Sequence, residues 1–225
     1  MPINWNQFLA RYQQDREGYL FCGSEPQGNS QLVLPQGDSF PLLVSFFLEY
    51  DGRTSSRSLQ VRTMVQLEHP FELHIHRRST AGGGIGKLAG LVGAGMDFGF
   101  PEATRGRIIT TNRRAFTKLV LSDLALRNTL LGEEEADLLV QPGPQPGGWH
   151  LVQVTPTAFG GTLTTDGPWV NEAMRADPLF PSEQEREALL QAGSAHFNAR
   201  LDALLEQLRV LRDAVTRWPI PAEPS

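Results

Sequence analysis

The sequence predicts an α+β fold: an antiparallel sheet, read as a meander, with short helices and a long C-terminal helix packed across one of its faces. Three observations predict it. Between residues 41 and 77, apolar and polar side chains alternate with period two in successive runs. Strand-like runs precede most of the helix-like ones, and no strand–helix–strand alternation is sustained, which argues against a doubly wound parallel sheet. From Ser182 to Trp218, a long run carries Phe197, Leu201, Leu204, Leu208, Leu211, Val215 and Trp218 at alternating spacings of four and three, a seam of period 3.5.

Taken in order, Asn4 is placed to cap a short helix whose Trp5, Phe8, Leu9 and Tyr12 form one apolar face. Gly18 ends it, and residues 22–30 read as a loop. Leu32 to Leu34 is a short strand. Pro41 to Tyr50 is a second, closed by a turn at Asp51-Gly52. Leu59, Val61, Thr63, Val65 and Leu67 mark one face of a third. Pro70 interrupts, and Phe71, Leu73 and Ile75 oppose Glu72, His74 and His76 in a fourth, so 41–77 reads as one meander. Residues 82–95 hold seven glycines, which weaken any helix there. Residues 107–111 form a strand. Asn112 opens one short helix, and Ser122 caps another that Gly132 ends. Residues 136–141 and 149–155 are strands joined by a Pro/Gly loop, and Phe159 to Thr165 adds a further strand.

Ser182-x-x-Glu185 is a capping box for the long helix, Gly193-Ser194 is its expected kink, and Pro219 stops it. A straight helix over this span reaches about 55 Å. The seam is expected to cover the chain's own sheet; pairing with a second copy is the alternative. The whole is expected to be a single α+β domain, with a mixed body at 1–180, the helix at 181–218 and a disordered tail at 219–225.

Composition excludes several classes. The 225 residues carry a net charge of −5. It is unevenly spread, at −3 over 1–50, +6 over 51–127 and −8 over 128–225. The simplest arrangement has these segments neutralising one another. The longest mostly apolar run, Phe40 to Leu48, is too short to span a bilayer. With Cys22 alone there is no intrachain disulfide. The reading is a cytoplasmic protein with no membrane segment.

Candidate chemistry is sparse. Gly84-x-Gly86-x-x-Ala89 has the local context of a dinucleotide-binding turn, but the later strand lacks the acidic residue that would hold a ribose. Gly86-Lys87 fails as a P-loop because Ala81 and Leu88 occupy required positions. His74 and His76 share one strand face with Glu72, with His69 near. Two imidazoles can share a metal, but no third ligand is spaced to complete the site. His150 and His196 have no partner evident from spacing. No nucleophile–base pair is found, and no metal or cofactor is expected. Arg77, Arg78, Lys87, Arg105, Arg107, Arg113, Arg114 and Lys118 could form an anion-binding patch, Arg105 and Arg107 sharing a strand face. Aromatic residues are not interleaved with them and the pI is about 5.6, which argues against nucleic acid.

Residues 95–131 open Gly-Met-Asp-Phe-Gly-Phe, pass through the strand Arg107–Thr111 and close on Leu126-Arg127-Asn128-Thr129-Leu130. This block resembles an uncharacterised bacterial family in which a Gly-Asp-x-x-Phe-Asp element precedes a strand and a helix ending Leu-Arg-x-x-Leu follows. Ala103-Thr104 stand where Phe-Asp is usual. The resemblance implies bacterial origin, a domain of unknown function and no catalytic residues to carry over.

The functional expectation is a non-enzymatic protein acting through binding or assembly, with a homodimer or a protein partner as its counterpart. The alternative is a small-molecule or anion-binding protein, enzymatic or not, with its site near 82–95 and the basic side chains. The contacts for such a ligand would be His74, His76, Arg105 and Arg107.

Overall fold

Period-two alternation makes each strand two-faced, and among the described residues β2, β4, β5, β7 and β8 each bury one face. A computed structural model describes residues 5–22, 30–50, 55–77, 98–132, 136–156 and 183–221. The Ser182 cap, the Asp51-Gly52 turn, the glycine-rich 82–95 and the strand expected at Phe159–Thr165 lie outside the described residues. The elements are α1 (Trp5–Gln14), β1 (Tyr19–Phe21), β2 (Gln31–Gln36), β3 (Ser39–Tyr50), β4 (Ser55–Gln66), β5 (Leu73–Arg77), α2 (Pro101–Thr104), β6 (Arg107–Thr111), α3 (Arg114–Ser122), α4 (Leu124–Leu131), β7 (Ala136–Pro142), β8 (Trp149–Pro156) and α5 (Glu183–Thr216). The eight strands form one antiparallel sheet in the order β1-β2-β3-β4-β8-β7-β5-β6, and α5 packs against it from Gly193 onward. The fold is α+β.

Consecutive pairing holds from β1 to β4. The order then departs from a simple meander over 41–77, because β8 and β7 lie between β4 and β5. Leu67–Glu72 therefore crosses two strands. The run around Pro70 that ends β4 is this crossing, not a tight turn.

The chain divides into two compact units, Met1–Val61 with Pro156–Leu204 and Arg62–Thr155 with Leu205–Ser225, the boundaries falling inside β4, near the end of β8 and inside α5. In the first, Leu32 and Leu34 of β2 pair with Val44 and Leu42 of β3, and all four are buried. The register shifts between Leu34 and Gln36, at Pro35, which has no N–H for the ladder. Phe8, Leu9 and Tyr12 bury the apolar face of α1 as its spacing predicts. Phe8 meets Phe197 of α5 with ring centroids 5.5 Å apart. The Tyr12 hydroxyl donates to Asp202, Arg16 lies 3.9 Å over the Tyr12 ring and also pairs with Asp202, and Arg11 pairs with Glu187. Cations of α1 thus meet acids of the long helix.

In the second unit, Leu73 and Ile75 of β5, Ile109 of β6, Leu138 and Val140 of β7 and Val152 and Val154 of β8 bury one sheet face. Phe71 meets Phe116 of α3 edge to face, centroids 4.7 Å apart. The cap of α4 is Asp123, not Ser122: its carboxylate accepts from Leu126 N–H at 3.0 Å, while the Ser122 hydroxyl turns back to the Leu119 carbonyl. Arg217 pairs with the buried Asp123 carboxylate. The residue before α3 is Arg113, whose side chain makes no cap; Thr111 Oγ1 takes the Arg113 N–H, and Asn112 is engaged by Glu72. Part of the expected tail is ordered, with Ile220 buried.

The helix α5 spans 34 residues and continues through Gly193 and Ser194, both buried. Phe197, Leu201, Leu204, Leu208, Leu211 and Val215 are fully buried within the chain, and Leu205 nearly so. Trp218 lies past the helix end and is 40% exposed, so the seam stops at Val215. Each buried side chain of this size contributes about 1.5–3 kcal/mol. Leu204→Asp or Leu208→Asp removes that term and buries a carboxylate without a partner, a loss of at least about 4 kcal/mol. Circular dichroism is expected to show no cooperative melting in either variant. A variant that keeps its melting temperature would place that residue outside the core.

Candidate functional site

The alternation of β5 decides where its polar residues go. Leu73 and Ile75 are buried, so His74 and His76 stand on the opposite face, on which no helix lies among the described residues, both half-buried. Antiparallel register places Thr110 of β6 and Leu139 of β7 beside His74, and Ile108 of β6 beside His76. The same register, continued one residue, sets Asp137 of β7 opposite His76. Two residues apart on a strand, the imidazoles lean together until their centroids are 4.5 Å apart at 40°. Burial pushes the His74 imidazole below its ordinary range, His76 adds to this, and Asp137 opposes it. On the same face of β4, burial lowers the Arg62 guanidinium.

The two arginines do not join them. Arg107 pairs across from β5 on the face shared with Ile109, the helix side. Its Nη2 donates to the Leu130 carbonyl at 2.7 Å, placing a cation at the C-terminus of α4, where unpaired carbonyls and the helix dipole favour it. Arg105 is not on the strand. It is exposed in the turn after α2, and Gly106, at a φ of 75°, redirects the chain into β6. The expected common face for Arg105 and Arg107 is therefore replaced by a turn and a helix cap. His74 and His76 come together; Arg105 and Arg107 stay apart from them and from each other.

Other candidate cations also serve the fold. Arg113 donates to the carbonyls of Pro70 and Pro221, at 2.8 and 3.0 Å. Arg127 lies over the Phe100 ring and faces Glu102. Arg114 and Lys118 are exposed on α3. The Arg77 side chain, Arg78 and Lys87 lie outside the described residues. Cys22 and His196 are exposed. Among the described residues, no group of three or more His, Cys, Asp or Glu is arranged to hold a metal ion, and no helix is long and apolar enough to cross a membrane.

His150 is the residue whose partners sequence reasoning missed. It is 2% exposed, on the same strand face as Val152 and Val154. Its Nε2 accepts the Phe71 N–H at 3.0 Å, so its proton sits on Nδ1, 2.8 Å from the Gly148 carbonyl. The alternation starting at Trp149 already turns His150 inward, and a buried imidazole requires partners. The crossing Leu67–Glu72 is held along its length. Leu67 N–H donates to Gly148 O, Glu72 N–H donates to Asn112 Oδ1, and Glu72 O accepts from Thr111 Oγ1 and Asn112 N–H. A Cβ at Gly148 would overlap the Leu67 carbonyl oxygen, and its φ of 76° suits glycine.

His150→Ala leaves the Phe71 N–H buried without an acceptor and opens a void, an expected loss of about 2–4 kcal/mol. Arg105→Ala, at an exposed turn, is expected to stay within about 0.5 kcal/mol of the parent. Denaturant melts of the two variants check the contrast. Equal stabilities would show that His150 does not hold the crossing.

No family model, no curated protein and no solved structure matches this chain.

Proposed function

We propose that this protein acts by binding or assembly, not by catalysis, and that its working surface is the sheet face around His74, His76, Ile108 and Leu139. The observation that supports this reading is the character of that face. It is half-buried, it mixes aliphatic side chains with two imidazoles, and α5 packs on the other side. A surface of this kind suits a partner that covers apolar area and reads a few polar groups. The chemistry-bearing residues of the second unit point the same way. Arg107, Arg113, Asp123 and His150 are each engaged by backbone groups that hold the fold.

The anion-binding alternative draws on Arg105, Arg114 and Lys118, all exposed, and on the stretch 82–95. Light scattering and melting separate the two. Under the assembly reading, the 24.9 kDa chain scatters as more than a monomer at high concentration. Leu139→Ser then returns it to a monomer with an unchanged melting temperature. A chain that stays monomeric, melts higher on adding inorganic phosphate and loses that gain in Arg114→Ala with Lys118→Ala would reject assembly in favour of anion binding.

A further inference from the structure

The two stacked imidazoles have a property that does not depend on what the face binds. Their centroids are 4.5 Å apart on one strand, and His76 Nδ1 is shielded from solvent with no hydrogen-bond partner. Two imidazolium charges at that separation repel strongly wherever water is partly excluded. The neighbouring strands offer limited compensation. From β6, the pair meets Ile108 and Thr110, which carry no charge. From β7 it meets Leu139 and, by register, Asp137. Glu72 is exposed just before β5, and Arg62 of β4 adds a cation to the same face. Among the described residues, one carboxylate from an adjacent strand faces two imidazoles, enough to balance one proton but not two.

We propose that the His74–His76 pair is an acid-sensitive element of the sheet: acidification charges His74 against its neighbouring imidazole on a partly dry face and lowers the stability of the fold. The direction of the His74 shift agrees. An imidazole held below its ordinary value near 6.5 takes up its proton more readily when the chain is unfolded. Stability is therefore kept above that value and falls as the pH drops below it. The fall ends once the folded-state imidazole is itself protonated.

Proton NMR of the imidazole Hε1 signals, from about pH 8 to about pH 5, tests this on the whole chain. The wild-type His74 is expected to titrate below the ordinary imidazole value. In His76→Gln, His74 should titrate at a higher pH than in the wild type. The wild-type melting temperature should fall as the pH drops below about 6.5 and level off once His74 is protonated, and that fall should shrink in His74→Gln. The proposal is overturned if the wild-type His74 midpoint is not below the ordinary value, or if His76→Gln leaves it in place. Should either variant fail to fold, the wild-type His74 midpoint decides alone.

Discussion

Burial of the α5 seam is the constraint on which the other features depend. A helix with apolar residues at a 3.5 spacing has one stripe that must leave water, and a sheet with alternating residues has one face that must do the same. Here Phe197 through Val215 are buried with the inward residues of the strands, so each element meets the other's requirement. Leu205 lies beside the seam and is also buried, which widens the dry stripe beyond what a two-stranded coiled coil uses. The net stability of a domain is only about 5–15 kcal/mol, so a stripe of this size decides whether the chain folds.

With α5 on one side, the order of the strands sets what the ends of the sheet must do. Because β8 and β7 enter between β4 and β5, six residues have to pass over two strand ends with their backbone groups satisfied. That requirement absorbs polar side chains, Arg113 of the candidate anion patch among them. His150 takes one N–H, Arg113 a carbonyl, and Thr111 and Asn112 share Glu72. Arg107 does the same for the end of α4. A basic segment read as an anion patch is, at these positions, the set of donors that closes loops and helix ends.

What could be read in advance was what short-range periodicity encodes. The strands read at 107–111, 136–141 and 149–155, and the seam buried as far as Val215, followed from period two and period 3.5. Pairing order did not, since alternation fixes which face a residue takes and says nothing about which strand lies beside it. The three residues of β1 and the single turn of α2 are too short to show a period. Ser122 and Asp123 are both able to cap, and the extended ψ of 121° at Asp123 makes it the boundary. Arg105 and Arg107 share a parity, but the positive φ of Gly106 breaks the strand between them. His74 and His76 fell on one face as their spacing requires; the closeness of their rings belongs to side-chain packing, which spacing does not determine.

The histidine pair stands out against this background because it is not needed to close anything. Arg107, Arg113, Asp123 and His150 each hold a named backbone atom, and replacing them would leave that atom unsatisfied. His74 and His76 instead occupy outward positions of a strand, where threonine or glutamine would satisfy the sheet without placing two ionisable rings close together. Half-burial raises the cost of charging His74, and its neighbour His76 raises it again. Local choices that work against stability, in a chain whose remaining residues agree with the fold, mark the positions where use outweighs stability. That contrast, between side chains that complete the backbone and two that burden it, is why the outward face of β5 is the surface on which this protein's activity should be sought.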